Sequence, residues 1–295
     1  MGMGERLLVK TNRVFKMTKN VFLYHKNCDD GFGAAWAAWK RFGKKGTYIG
    51  SAPWEEPPSG LAGKNVYLMD LCYLPNHIKK LLKVTKSLTV IDHHISSREA
   101  IAFVSNGVFN NDFTHSGAVL SWKFFHPTKK VPLLLKVVED VDIWKWKVPY
   151  SHELSASLRV YDRSFNTWSR LAREWESPKS RKKYIIEGGA IVKDHEDRVQ
   201  EAVKDANLVN FCGYKTLASN SRMLVDYIGA ALVKKFPPIG IIWSERGGKI
   251  VVSLRSNGKV DVSKLAVKFG GGGHKKSAAF RLEASTKLPW KIIKK

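Results

Sequence analysis

Apolar runs of strand length recur early in the chain at residues 21–24, 66–69 and 88–91, and polar residues follow each of them at once. Residues 31–42 and 78–84 instead repeat apolar positions at helical spacing. Strand alternating with helix predicts an α/β domain with a parallel sheet covered on both faces. Such sheets bind ligands beyond the carboxyl ends of their strands. Here those ends carry His25, Asp29 and Asp30, then Asp70, then Asp92, His93 and His94. A further apolar segment, 131–138, precedes Glu139, Asp140 and Asp142.

The pattern breaks over 174–183, where Pro178 stands beside Lys179, Arg181, Lys182 and Lys183, and a helix is expected after the break. Apolar runs at 239–243 and 250–254 flank Gly247-Gly248 and predict a hairpin. Residues 262–269 predict a helix that ends at four consecutive glycines before His274. The expected organisation is a basic tail at 1–19, a catalytic α/β domain at 20–175, a linker and helix at 176–206, a smaller mixed α/β domain at 207–283, and a basic tail at 284–295, with a cleft between the two domains.

Composition narrows the class. Hydrophobic residues make up 44% of the 295, enough apolar area to offset the entropy of ordering. Cys28, Cys72 and Cys212 are too few for a disulfide framework, which favours a reducing compartment. No apolar run is long enough to span a bilayer, so no membrane partner is expected. Lys and Arg number 50 against 26 Asp and Glu, and the resulting +24 favours a polyanionic partner such as nucleic acid. A cytoplasmic location is expected, with organellar import as the alternative suggested by the basic, acid-poor start.

The polar residues at the strand ends suit metal. Carboxylates and neutral imidazoles without thiolates suit a hard or borderline divalent cation, manganese ahead of magnesium or calcium. Carboxylates converging on one sheet edge repel unless cations neutralise them, and Asp70 can bridge two ions. In the glycine run, Gly271, Gly272 and Gly273 let backbone amides approach a phosphate and His274 adds a donor. Arg255 can grip a phosphate with two N–H groups, and Ser256 follows it. Blander readings suit other residues. Trp36, Trp39, Trp144 and Trp146 are expected in the core or on a sheet face, and His77, His126, His152 and His195 on the surface. Cys72 and Cys212 are expected to be buried, and His115 to cap a helix.

In order, His25 to Gly31, Asp70, Asp92-His93-His94, Glu139 to Asp142, and the glycine run with His274 resemble the motifs of the DHH phosphoesterases and of their DHH-associated C-terminal domain. That family includes RecJ-like exonucleases, oligoribonucleases, cyclic-dinucleotide phosphodiesterases and manganese-dependent pyrophosphatases. The resemblance implies two Mn2+ ions, with Mg2+ as a substitute. One ion would be held by His25 and Asp29, the other by Asp30, His93 and Asp140, with Asp70 shared and Asp142 in reserve. His94 would either stand behind the ligands or contact the transition state, and Asp92 would orient an imidazole. The family's first motif has aspartates four and six residues after its histidine, whereas here they fall at four and five. Either Cys28 or Asp29 therefore fills the first position.

The leading expectation is a metal-dependent phosphodiesterase of exonuclease or oligonucleotidase type, cutting short or single-stranded nucleic acid with a hydroxide activated by two metals. The alternatives are a small-anion phosphatase, acting on pyrophosphate, polyphosphate, a nucleotide or a cyclic dinucleotide, and a silent nucleic-acid-binding protein. The sequence leaves protein partners unknown.

Overall fold

The computed structural model describes residues 18–109 and 114–294. Most of the expected N-terminal tail lies outside them. By their contacts the residues form two compact units, one running to 148 and including 163–176, the other made of 149–162 and 177–295.

The first unit is built on a five-stranded parallel sheet of order β2-β1-β3-β4-β5, with β1 Asn20–His25, β2 Gly46–Ser51, β3 Asn65–Met69, β4 Ser87–Asp92 and β5 Asn106–Phe109. Its central strands are apolar on both sides, as burial of both faces requires. Val21, Leu23, Leu68 and Val90 face one cluster that includes Ile78 and Leu81 of α2 (Pro75–Val84). Phe22, Met69 and Ile91 face another with Ala34, Ala35 and Ala38 of α1 (Asp29–Phe42), and with Leu120 and Phe125 of α4 (Gly117–Phe125). The short α3 (Arg98–Ile101), α5 (Leu133–Asp142) and α7 (Phe165–Glu176) complete this unit.

The second unit holds α6 (Ser151–Leu158) packed on α8 (Pro178–Lys204) and a seven-stranded mixed sheet. Its strands are β6 Asn207–Phe211, β7 Tyr214–Asn220, β8 Ile239–Arg246, β9 Lys249–Ser256, β10 Gly272–His274, β11 Ser277–Glu283 and β12 Lys291–Lys294. They run in the order β10-β11-β9-β8-β7-β6-β12. α10 (Val262–Val267) packs on one face through Val262 and Ala266, and α9 (Val225–Lys235) on the other through Ile228 and Leu232.

Several expectations need correction. Residues 149–162 group with the second unit rather than the first, because α6 packs along α8. The final basic segment contributes β12, which pairs with β6. Trp144 and Trp146 lie on no sheet: both have positive φ in the turn after α5, and their rings stack edge to face. His126 is buried, with Nε2 2.9 Å from the Ala37 carbonyl, and Cys212 is exposed in the β6–β7 turn. Among the described residues no helix is long and apolar enough to cross a membrane.

Candidate metal centre

The centre of the first unit is Asp70, the residue after β3. Its φ of 52° puts it in the left-handed region, where a short polar residue is tolerated at some cost. The carboxylate is buried at 2% exposure, and neither oxygen has a hydrogen-bond partner. Space for it depends on Gly117 at the start of α4, where a Cβ would lie 2.5 Å from the Asp70 Cβ and 2.7 Å from Oδ1.

Three imidazoles surround this carboxylate. His25 Nδ1 lies 3.5 Å from Oδ2, while His93 Nε2 and His94 Nδ1 lie 3.3 and 3.8 Å from Oδ1. Burial raises the Asp70 pKa, but the imidazoles of His25 and His93 and the charge of His94 hold it below the usual carboxylate range. His93 Nε2 is also 3.7 Å from Asp30 Oδ2 and 3.5 Å from Asp142 Oδ2, and it too is buried without a hydrogen-bond partner.

The flanking groups are fixed by the local fold. Asp30, in the first turn of α1, accepts the N–H groups of Gly117 and Ala118 at 2.7 and 3.0 Å, so its carboxylate seats the N-terminus of α4. Asp92 ends β4 and accepts the His93 N–H at 2.8 Å, the His94 N–H at 3.3 Å and the Ser97 hydroxyl at 2.5 Å, and it pairs with His94 Nδ1 at 2.7 Å. This locks the turn that carries both histidines. Burial opposes protonation of His94, yet Asp92, with Asp70 and Asp142, raises its pKa to about 10. Burial also pushes Asp142 up to about 6, against the pull of His93 and with the push of Asp70. The Asp30 carboxyl is raised by burial and by the neighbouring Asp70 and Asp142 charges.

Three donor groups emerge, each with its ligand atoms within 4.8 Å of one another: Asp70 with Asp92, His93 and His94; His25 with Cys28 and Asp70; and Asp30 with His93 and Asp142. Orphaned buried carboxylate oxygens, an orphaned imidazole nitrogen and crowded like charges make a donor set that divalent cations would satisfy.

Two expected ligands fall outside these groups. Asp29 sits in the first turn of α1 and binds Arg163 Nε at 2.8 Å, whereas Cys28, the extended residue before the helix, joins His25 and Asp70. Asp140 is buried in the last turn of α5, and its oxygens accept the Lys147 and Val148 N–H groups at 2.8 and 3.0 Å. Asp142 faces His93 instead. The apolar segment 131–138 does not end before Glu139 as expected: α5 continues through Asp142, and the helical turn decides which carboxylate points to the strand ends. His115 does not cap α4. Ser116 does so, while His115 Nδ1 is 3.0 Å from Glu139 Oε2.

In the second unit, His274, Ser277 and Arg255 are cross-strand neighbours in one row over β10, β11 and β9, and therefore share a sheet face. Arg255 donates from Nε to Asp226 Oδ1 at 3.1 Å and from Nη1 to the Leu254 carbonyl at 2.8 Å, and its Nη2 also binds Asp226. The glycine run has packing reasons of its own. A Cβ on Gly271 would lie 2.2 Å from the Ala279 carbonyl, and Gly273 has φ 142° against Ala278, while Gly272 faces open space. Ser256 is turned to its own loop, giving its hydroxyl proton to Val260 O at 2.7 Å and accepting the Gly258 N–H, so it is not part of the row.

The DHHA1 domain profile matches residues 207–290. An uncharacterized protein of Acanthamoeba polyphaga mimivirus is 27% identical over 90% of this chain and 68% of its own. Among solved structures, the DHH domain of a member of the s1p family of ribosomal proteins aligns with TM-score 0.57 at 14% identity, over 89% of this chain and 82% of that one. A pGpG-specific phosphodiesterase from Vibrio cholerae aligns with TM-score 0.50 at 14% identity, over 90% and 94%. RecJ from Thermus thermophilus, solved with Mn2+, aligns with TM-score 0.50 at 14% identity, over 90% of this chain and 50% of its own. Residues 207–290 are thus a DHHA1 domain, and the chain shares its fold with these DHH-domain and RecJ structures.

Proposed function

We propose that the protein is a metal-dependent phosphodiesterase that cleaves short or single-stranded nucleic acid. The observation that carries this reading is Asp70, a buried carboxylate whose two oxygens lack a hydrogen-bond partner and which belongs to two of the three donor groups. His25 with Asp70 on one side, and Asp30, His93 and Asp142 on the other, would hold two divalent ions. Such a pair supplies charge neutralisation at the phosphate and activation of the attacking water. The fold is shared with a protein described as a pGpG-specific phosphodiesterase and with a RecJ solved with Mn2+, which supports Mn2+ as the working ion. The net charge of +24 suits a polyanionic substrate.

The side chains have separable tasks. Asp92 fixes the His93–His94 turn through its backbone and hydroxyl bonds. The Asp92 bond to Nδ1 sets the orientation of His94, whose protonated ring offers positive charge to a phosphoryl oxygen. Arg255 and His274, with Gly272 between packed neighbours, would hold a second phosphate of the substrate.

The test is incubation with Mn2+ and labelled DNA and RNA from dinucleotides to about 20-mers, a length span that covers single-strand site sizes, with pyrophosphate alongside. Release of nucleoside monophosphates from short single strands is expected. Hydrolysis of pyrophosphate alone would favour the small-anion phosphatase.

A further inference from the structure

The two sets of donors beside Asp70 differ in chemistry. His25, Cys28 and Asp70 offer nitrogen, sulfur and oxygen, while Asp30, His93 and Asp142 offer one nitrogen and two carboxylates. Cys28 is a partly buried free cysteine. Its backbone is extended, with φ −122° and ψ 140°, and its carbonyl accepts the Phe32 N–H at 3.1 Å, which fixes it at the start of α1. The carboxylate next in sequence, Asp29, is engaged by Arg163. Independent of the cysteine, the Asp70 oxygens are buried without a hydrogen-bond partner, and Asp70 belongs to this group.

Thiolate ligands select borderline and soft ions, whereas carboxylates suit Mn2+ and Mg2+. We infer that the centre binds two different ions: a thiophilic one, such as Zn2+ or Co2+, held by His25, Cys28 and Asp70, and a hard one held by Asp30, His93 and Asp142. This rests on the metal-dependent reading of the site and replaces a pair of like Mn2+ ions with an unequal pair. On binding, the S–H bond breaks and a metal–sulfur bond forms. The proton leaves to solvent and no electron is transferred.

The experiment uses the full chain, stripped of metal and titrated with Co2+ in the presence of excess Mg2+. A sulfur-to-cobalt charge-transfer absorption in the near ultraviolet is the readout and does not depend on turnover. The expected result is a band that saturates at one Co2+ per chain, persists in Cys212→Ser and is lost in Cys28→Ser. Cys28→Asp should lose the band yet still bind two ions by elemental analysis, which separates a lost ligand from a lost fold. Absence of the band in the unaltered chain, or its survival in Cys28→Ser and Cys28→Asp, overturns the inference. Phosphodiester cleavage is measured on the same samples. A band without cleavage supports the unequal centre and defeats only the functional proposal. Cleavage with Mn2+ and no band defeats the unequal centre alone.

Discussion

Asp140 Oδ1 accepts the Lys147 N–H at 2.8 Å, so this buried carboxylate closes the turn after α5, while Asp142, two residues on, faces His93 at 3.5 Å. Neighbouring acids thus have different surroundings. Asp140→Asn should lower stability by about 1–3 kcal/mol, the cost of leaving a buried group unsatisfied, with ion binding retained. Asp142→Asn should instead weaken ion binding by more than the ~10- to 100-fold typical of groups outside the ligand shell. Denaturant melts and metal titrations of the two variants decide the matter, and equal losses of ion affinity would contradict the division.

Ion binding should stabilise the protein. A ligand that binds only the folded chain contributes about 2.7 kcal/mol at a hundred times its Kd. Thermal melts with and without Mn2+ should show a rise in Tm for the parent chain and none for Asp70→Asn. An equal rise in both would put the ions elsewhere.

The ion-dependent part of that stability should depend on pH. The Asp142 carboxyl is pushed up to about 6, above the ordinary carboxylate range, and would have to be unprotonated to hold an ion. The gain in Tm from Mn2+ should therefore be present above pH 6 and shrink as pH falls through it. In the metal-free chain the same raised pKa has the opposite sign. The charged form is disfavoured by folding, so this group costs stability as pH rises from about 4 to 6. Melts across pH 4–8, with and without Mn2+, measure both trends, and a Mn2+ gain that stays flat through pH 6 would contradict the first.

Arg255 and His274 stand in the second unit and should act on substrate alone. Arg255→Ala is expected to cost roughly 1.5 to 3 kcal/mol of binding, about one to two powers of ten in kcat/KM on a dinucleotide. A small chromogenic phosphodiester should be much less affected, and Arg255→Lys should not restore the parent rate because the paired donors are lost. Equal losses on both substrates would assign Arg255 a structural role through Asp226.

How much of this was legible in the sequence follows the range of the forces involved. β1, β3 and β4 were visible because their apolar runs are buried on both faces and end in polar ligand types. β2 was missed because an edge strand with two glycines and half-buried positions carries no such run. At the site, Asp30, Asp70, His93 and His94 could be named from the strand ends, and they converge. The choice between Cys28 and Asp29 could not, since it depends on where α1 begins and on Arg163, far along the chain. Nor does the sequence separate Asp140 from Asp142, because the last turn of α5 and the Lys147–Val148 amides that claim Asp140 lie outside any local pattern.

The central claim is that Asp70 joins two ions in a centre that cleaves phosphodiesters, and it is tested most directly by measuring bound ions and dinucleotide turnover together in the parent chain and in Asp70→Asn. The account predicts two ions per chain and Mn2+-dependent turnover in the parent, with both lost in the variant while its circular dichroism is unchanged. Turnover in Asp70→Asn near the parent rate would contradict it.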